Sequence, residues 1–423
     1  MGTTRKPLHQ STGGGDTSQP RTSAGDAEEF LPIHRRPAWV LVAVAAIGGM
    51  AGFAAAAWMQ QRPGPDAGAI SKPGAAKPTI AIGDGVHGPK DMAWIPGGDF
   101  LMGSDHQLAQ PNERPTHRVR VHGFWMDRTH VTNAQFRSFV QATGHVTTAE
   151  RKPRWEDLRV QLPPDTPRLP DSAMIAGALV FVGTEAPVDL SDAGRWWRFV
   201  PGASWQHPQG PGSTIEGKDD HPVVQVSYQD ALAYAQWAHK RLPTEAEWEF
   251  AARGGMEQAT YAWGEEFKPD GKAMANVWDV SRQGSFPVVS PKAGGAVGTL
   301  RVGTFPPNGY GLVDMTGNAW QWAADWYRAD YFQMQVQQHG DSPIDDPHGP
   351  DDSWDPNDTM AIPAAPRRVI RGGSFLCTVD YCLSYRPSAR RGNDPANPMS
   401  HVGFRLVKDA PPPEEKSLRA SLR

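Results

Sequence analysis

Cysteine is almost missing from this chain of 423 residues: Cys377 and Cys382 are the whole supply. A structural zinc site wants four ligands, so two sulfurs alone exclude one built on cysteine. The 14 histidines form no H-E-x-x-H and no close cluster that would replace it. Net charge is nearly absent as well. Lys+Arg 42 against Asp+Glu 46 leaves −4, which gives no global pull toward nucleic acid or an anionic membrane surface. Strand–helix alternation and long-period repeats are also lacking, which argues against parallel α/β folds and repeat arrays.

What is abundant points elsewhere. The chain holds 44 glycines, 40 prolines and 16 tryptophans. The first two break long elements, and the large rings demand burial, so the expectation is a loop-rich globular domain held by aromatic packing. Apolar residues run together only at "AWVLVAVAAIGGMAGFAAAAWM", Ala38 to Met59, 22 residues without a charge. As a helix this is about 33 Å, enough to cross a bilayer core, with Trp39 and Trp58 near the two interfaces. A buried Ala-rich helix and a cleaved signal peptide are the competing readings; isolation between polar stretches favours an uncleaved signal-anchor. His34, Arg35 and Arg36 precede it, against Arg62 alone after it, so residues 1–37 are expected as a disordered cytoplasmic tail. The rest would then be periplasmic or otherwise extracytoplasmic, tethered to the membrane by a single pass over 38–59. Residues 60–90 read as a Pro/Gly/Ala linker, 91–408 as the folded domain and 409–423 as a disordered tail.

Within 91–408, "HRVRVHGFWMD" (117–127) alternates like a half-buried strand. Three helices carry start signals: Thr132 with Gln135, Ser227, and Thr244 with Glu247. Gly144 and Gly254 suit the stops of the first and third. Phe136, Phe139 and Val140 mark the first apolar face, Ala231, Tyr234, Ala235 and Ala238 the second, and Trp248, Ala251 and Ala252 the third. "RRVIRGG" and "HVGFRLV" read as short late strands, and the acidic stretch 341–358 as a solvated surface insertion. The fold class expected is α+β, compact and loop-rich.

The cysteines stand five apart. On a strand that separation is about 17 Å with the side chains on opposite faces, and on a helix about 140° of rotation. Their sulfurs therefore meet only on a turn. A short-loop disulfide, a dithiol redox pair, a copper(I) site and a simple nucleophile all remain open from the residues alone. Arg386, Arg390 and Arg391 read first as surface ion-pairing groups, with lowering of a thiolate pKa or gripping of an acidic ligand as their functional alternative. Trp320 and Trp322 read as core before substrate platform.

Four blocks in order narrow this: "IPGGDFLMGS", "HPVVQVSYQDALAYAQWAHKRLPTEAEWEFAARGG", "FPPNGYGLVDMTGNAWQW" and "RGGSFLCTVDYCLSYRPSARRGNDP" followed by "HVGFR". Together they resemble the formylglycine-generating enzyme (sulfatase-modifying factor) family over roughly 91–408. The resemblance implies a fold related to C-type lectins. It also implies an oxidase that converts the cysteine of a C-x-P-x-R motif in a sulfatase to Cα-formylglycine, with dioxygen and copper(I). The client would be an unfolded sulfatase polypeptide, and no nucleic acid is expected as a partner.

On this resemblance Cys377 and Cys382 match the copper-binding cysteines, and Ser374 a serine of the same site; these three are the expected catalytic residues. Trp320, Arg390 and His401 are the expected substrate contacts, His401 standing where some members have Asn. For calcium, Asn276 and Val277 match the start of one site, whose later acidic position is Gly294. Asp314, Gly317 and Ala319 match a second, in which Gln321 replaces a Glu, so at most one calcium ion is expected. The alternative of another class is a non-catalytic, membrane-tethered binding module of the same fold.

Overall fold

The computed structural model describes residues 78–289, 297–357, 362–409 and 411. The expected tail and anchor, 1–37 and 38–59, lie outside the described residues, as does the position of Gly294. Among the described residues no helix is long and apolar enough to cross a membrane.

Chain pairing starts ahead of Asp91. Ile82 bridges to Ala93, and Pro78 lies against Gly255 and Gly309, so the stretch read as linker joins the domain before residue 90. β1 (Met92–Ile95) and β2 (Gly98–Met102) follow. The expected strand over 117–127 is two: β3 (His117–Val121), with alternate residues buried, and β4 (Phe124–Asp127). The break falls at Gly123, where a Cβ would come within 2.6 Å of the Trp94 ring. β4 pairs with β1 and β3 with β2, so the break moves the chain from one sheet to another.

The capping chemistry read from sequence is present. α1 (Asn133–Thr143) starts at Thr132, whose Oγ1 accepts from Gln135 N at 3.3 Å while Gln135 Oε1 accepts from Thr132 N at 2.9 Å; Gly144 closes it at φ 68°. A short α2 (Trp155–Arg159) and the hairpin β5 (Gly177–Phe181) with β6 (Trp197–Pro201) come next. α3 (Tyr228–Trp237) is capped by Ser227 with Asp230 and ends at its C-cap Ala238, which still packs half-buried against the core beside Ala231, Tyr234 and Ala235. α4 (Glu245–Arg253) has the Thr244–Glu247 box and stops at Gly254, φ 60°. It is buried all round, not on one face.

After the single turn α5 (Val280–Gln283), β7 (Trp320–Trp326) leads to α6 (Tyr331–His339) and β8 (Ile344–Asp345). β8 pairs with β3, and Ser353 is buried against Arg367, so the acidic insertion is partly built into the domain. Its apolar Ile344 and Trp354 give it something to bury that its carboxylates concealed. β9 (Arg368–Arg371), β10 (Arg390–Asn393), β11 (Val402–Gly403) and β12 (Val407–Lys408) complete four small sheets, ordered β1-β4-β12, β10-β9-β7-β11, β2-β3-β8 and β5-β6. This is α+β with short strands. One apolar cluster runs from Phe136, Trp205 and Trp322 to both cysteines; a second packs α4 against β1–β4.

Candidate active site

The cysteine loop joins β9 to β10, two strands that pair with each other. Gly372 (φ 91°) and Gly373 (φ 70°) turn the chain out of β9 in a left-handed conformation that L side chains rarely adopt. Neither has room for a Cβ: at Gly372 it would stand 2.6 Å from the Met315 carbonyl, at Gly373 2.9 Å from the Ser384 carbonyl. The turn then winds tightly. Cys377 N donates to Ser374 O at 3.0 Å, and Cys382 N and Leu383 N both donate to Thr378 O, at 3.1 and 2.9 Å. The Cα atoms of Cys377 and Cys382 end 4.7 Å apart, and the sulfurs are joined as a disulfide. The turn that the five-residue spacing requires is therefore there.

Both sulfurs belong to the core, with Cys377 1% and Cys382 6% exposed. Ser374 lies beside them: its N–H points at Cys377 Sγ, 3.4 Å, and its Oγ accepts from Leu376 N. A narrow cavity opens over the pair, walled by Trp197, Phe286, Trp320 and Tyr381, with Ser374 and His401 as its polar members. Trp320 is fully buried, so it serves as core and as cavity wall at once. His401 packs its ring 4.8 Å from that of Trp197 and its carbonyl accepts from Trp320 N. Burial pushes its imidazole pKa down to about 3, so at neutral pH it is an uncharged donor or acceptor.

Arg390, expected as a substrate contact, is not in the cavity. It is 1% exposed and its guanidinium forks onto Glu245, with Nε and Nη2 both 2.7 Å from the carboxylate. It is one of three arginines that hold the loop at its ends. Arg371, at the loop's start, reaches Glu245 (2.7 Å) and Glu249 (2.6 Å); Arg386, near its end, forks onto Glu113 at 2.6 and 2.7 Å. Ser388 adds a hydroxyl to Glu113. Sequence reading placed Arg386 and Arg390 on the surface because their acidic partners lie more than a hundred positions away. Burial alone would raise the carboxyls of Glu113 and Glu245, but the guanidinium charges beside them outweigh it and hold both below the usual range. Asp325, which accepts from Glu245 N and faces the Glu245 charge without a guanidinium of its own, is pushed up to about 8 by burial.

Once the disulfide is reduced, two thiolates side by side in this aromatic-walled cavity would suit a soft, low-coordinate ion, a donor set that fits copper(I). The calcium positions fit less well. Gln321 Oε1 already accepts from Arg405 Nε at 2.6 Å and Trp248 Nε1 at 2.8 Å. Asp314 O accepts from Arg405 Nη2 and Ala319 O from His130 Nε2, both at 2.9 Å. A buried guanidinium thus stands among the oxygens that would face a cation. Gly317 ties its N–H to Gly372 O. Asn276 gives its amide to Gly298 O and Asn318 Oδ1, and Val277 packs against the core. Among the described residues no group of three His, Cys, Asp or Glu gathers as a metal site. Missed by sequence reading were Trp197, Phe286 and Tyr381 as walls; Tyr381 next to Cys382 was the one local signal.

Residues 83–410 match the family model described as sulfatase-modifying factor enzyme 1-like domain. Among curated proteins, the chain is 44% identical to a formylglycine-generating enzyme of Thermomonospora curvata, over 76% of this chain and 94% of that one. It is 45% identical to one of Mycobacterium tuberculosis, over 75% and 98%. It is also 35% identical to the inactive C-alpha-formylglycine-generating enzyme 2 of Mus musculus, over 77% and 87%.

Proposed function

Since the chain belongs to the family of sulfatase-modifying factor enzyme 1-like domains, we propose that it is a copper-dependent oxidase converting the cysteine of a C-x-P-x-R motif in a sulfatase to Cα-formylglycine with dioxygen. The observation that carries this reading is the placing of the chain's only two cysteine sulfurs together beneath the aromatic cavity. A structural staple would be a weak use of them: the loop they close is short, and buried arginine–glutamate pairs already hold its ends.

Cys377 and Cys382, once reduced, supply two thiolates, and the open side of the cavity leaves space for the substrate's thiol next to them. The copper(I) they would hold supplies the chemistry of dioxygen reduction. The chain's own residues do the rest. Trp197, Phe286 and Tyr381 exclude water, which keeps a polarised sulfur from being solvated. Ser374 offers a hydroxyl and His401 a neutral imidazole from the same cavity lining. Overall, CH2SH, dioxygen, two protons and two electrons become CHO, hydrogen sulfide and water; a thiol reductant provides the electrons. A client thiol inside a folded sulfatase would be unreachable, so the polypeptide is taken unfolded. Residues 38–59 would tether the domain outside the cytoplasm, where it meets clients during export. The resemblance to an inactive relative supports a second reading, a non-catalytic binding module.

Mass spectrometry of a C-x-P-x-R peptide incubated with the reduced protein, copper(I), oxygen and a thiol separates the two. Conversion of the thiol to an aldehyde, lost when copper is removed, is expected; an unchanged peptide under all conditions contradicts the oxidase.

A further inference from the structure

The segment 314–321 supports the turn that carries the cysteines. Gly317 N donates to Gly372 O at 2.8 Å, and Phe375 N donates to Asn318 O at 3.1 Å, so the segment is tied to the cysteine loop on both sides of Ser374. A Cβ at Gly372 would stand 2.6 Å from Met315 O and 3.1 Å from Gln321 Nε2, which shows how closely the two stretches pack. These are also the residues at which the family resemblance implies a calcium ion. In this chain their oxygens are met by hydrogen-bond donors.

Arg405 supplies most of the donors. It is fully buried and gives N–H groups to five oxygens. Nε reaches Gln321 Oε1 at 2.6 Å; Nη1 reaches Asp127 O and Arg128 O at 3.2 and 3.1 Å; Nη2 reaches Val313 O and Asp314 O at 2.8 and 2.9 Å. A guanidinium has five N–H donors, so this one is fully used. Burial lowers its pKa to about 10, which leaves it charged at neutral pH. Gln321, also fully buried, completes the arrangement. Trp248 Nε1 donates to the same Oε1 at 2.8 Å, and only the oxygen end of an amide can meet two donors. The other end, Nε2, therefore points its N–H groups at Met315 O and Asp314 O, at 2.9 and 3.3 Å.

We infer that Gln321 and Arg405 together replace a structural cation beneath the cysteine loop, so that this chain holds segment 314–321 without calcium. Calcium wants oxygen ligands with carboxylate among them. Here the carbonyls of Asp314 and Met315 are already satisfied, the side chain at 321 presents an amide N–H to them, and a full positive charge is in place. Glutamate is the isostere that exposes the difference. Its second oxygen would take the position of Nε2, against two carbonyl oxygens. Three oxygens so close repel one another unless a cation enters between them, and the first still satisfies Trp248 and Arg405. One substitution thus converts an ion-free site into an ion-requiring one. The inference concerns the scaffold and does not depend on the oxidase reading.

The test compares wild type with Gln321→Glu, each as the full protein stripped of metal by a chelator and then titrated with calcium chloride. Titration calorimetry counts the sites. Melting temperature is read in chelator and in about 1 mM calcium, the range in which weak extracellular sites fill. Gln321→Glu is expected to bind one calcium ion more than wild type. Its melting temperature should lie below that of wild type in chelator and rise by about 3 °C or more with calcium, while wild type moves by less than about 1 °C. Equal numbers of bound calcium ions in the two proteins overturn the inference, wherever else on the chain an ion binds. If Gln321→Glu folds under neither condition, wild type decides alone by urea titration: the same midpoint in chelator and in calcium upholds the inference, and a lower midpoint in chelator overturns it.

Discussion

Gly372 shows how far a single residue decides the site. Its φ of 91° and a Met315 carbonyl 2.6 Å from where a Cβ would sit leave no room for alanine without moving β9 or the turn. Gly372→Ala is expected to destabilise the protein by about 1–3 kcal/mol from strain alone, read as a lower urea midpoint at unchanged slope. Gln321 decides in a different way. Its Oε1 satisfies two buried donors, on Trp248 and Arg405. Gln321→Met removes that acceptor and should cost about 2–3 kcal/mol in the same measurement, because a charged donor is left without its partner. Both glycines before the cysteines were visible in the sequence as a pair of breakers. The Gln321 partners were not: Trp248 and Arg405 are 73 and 84 positions away, and a lone Gln for Glu carries no sign of what surrounds it.

The element that matters most is the β9–β10 loop with α4 under it. Helix starts and stops were legible because capping is local chemistry within four residues. The all-round burial of α4 was not, because Glu245, Glu249 and Arg253 look like a solvent face until Arg371 and Arg390 arrive from the far end of the chain. Glu245→Gln leaves two buried guanidinium groups short of charge, and a loss of about 3–5 kcal/mol is expected by denaturant titration. The pH dependence follows in sign. Glu113 and Glu245 have folded-state pKa values below their unfolded ones, so their stabilisation is present above the ordinary carboxylate range near 4.3 and is lost as pH falls through the depressed values. Asp325 acts oppositely: raised to about 8, it binds a proton in the folded state that the unfolded chain releases near 3.9, so stability falls as pH rises between the two. Asp325→Asn is expected to gain stability over wild type progressively from about pH 4 to 8, checked by melting temperature across that range; a constant difference would contradict the assignment.

At the scale of the whole molecule, composition foretold the kind of fold. Many glycines and prolines gave short strands in four small sheets, and the tryptophans gave a core in which Phe136, Trp205, Trp196 and Tyr381 belong to one buried apolar cluster. The sheet order was not legible, since strands two to seven residues long, most of them five or fewer, carry too little pattern to name partners. The cysteine pair, Ser374, Trp320 and His401 were found from sequence and do meet around one cavity; the aromatic walls and the carboxylate clamps come from distant segments and were not found. The membrane tether is a prediction at this scale. A reporter fused after Arg423 that works only outside the cytoplasm should be active, and a cytoplasmic signal would reverse the topology.

The central claim is that Cys377 and Cys382 are the reaction centre and not a staple. Aldehyde formation on a C-x-P-x-R peptide, measured for Cys377→Ala and Cys382→Ala with copper(I) supplied, tests it most directly. The account predicts that each variant folds with a melting temperature close to that of the reduced wild type and forms no aldehyde. Near-normal turnover by either variant would contradict it.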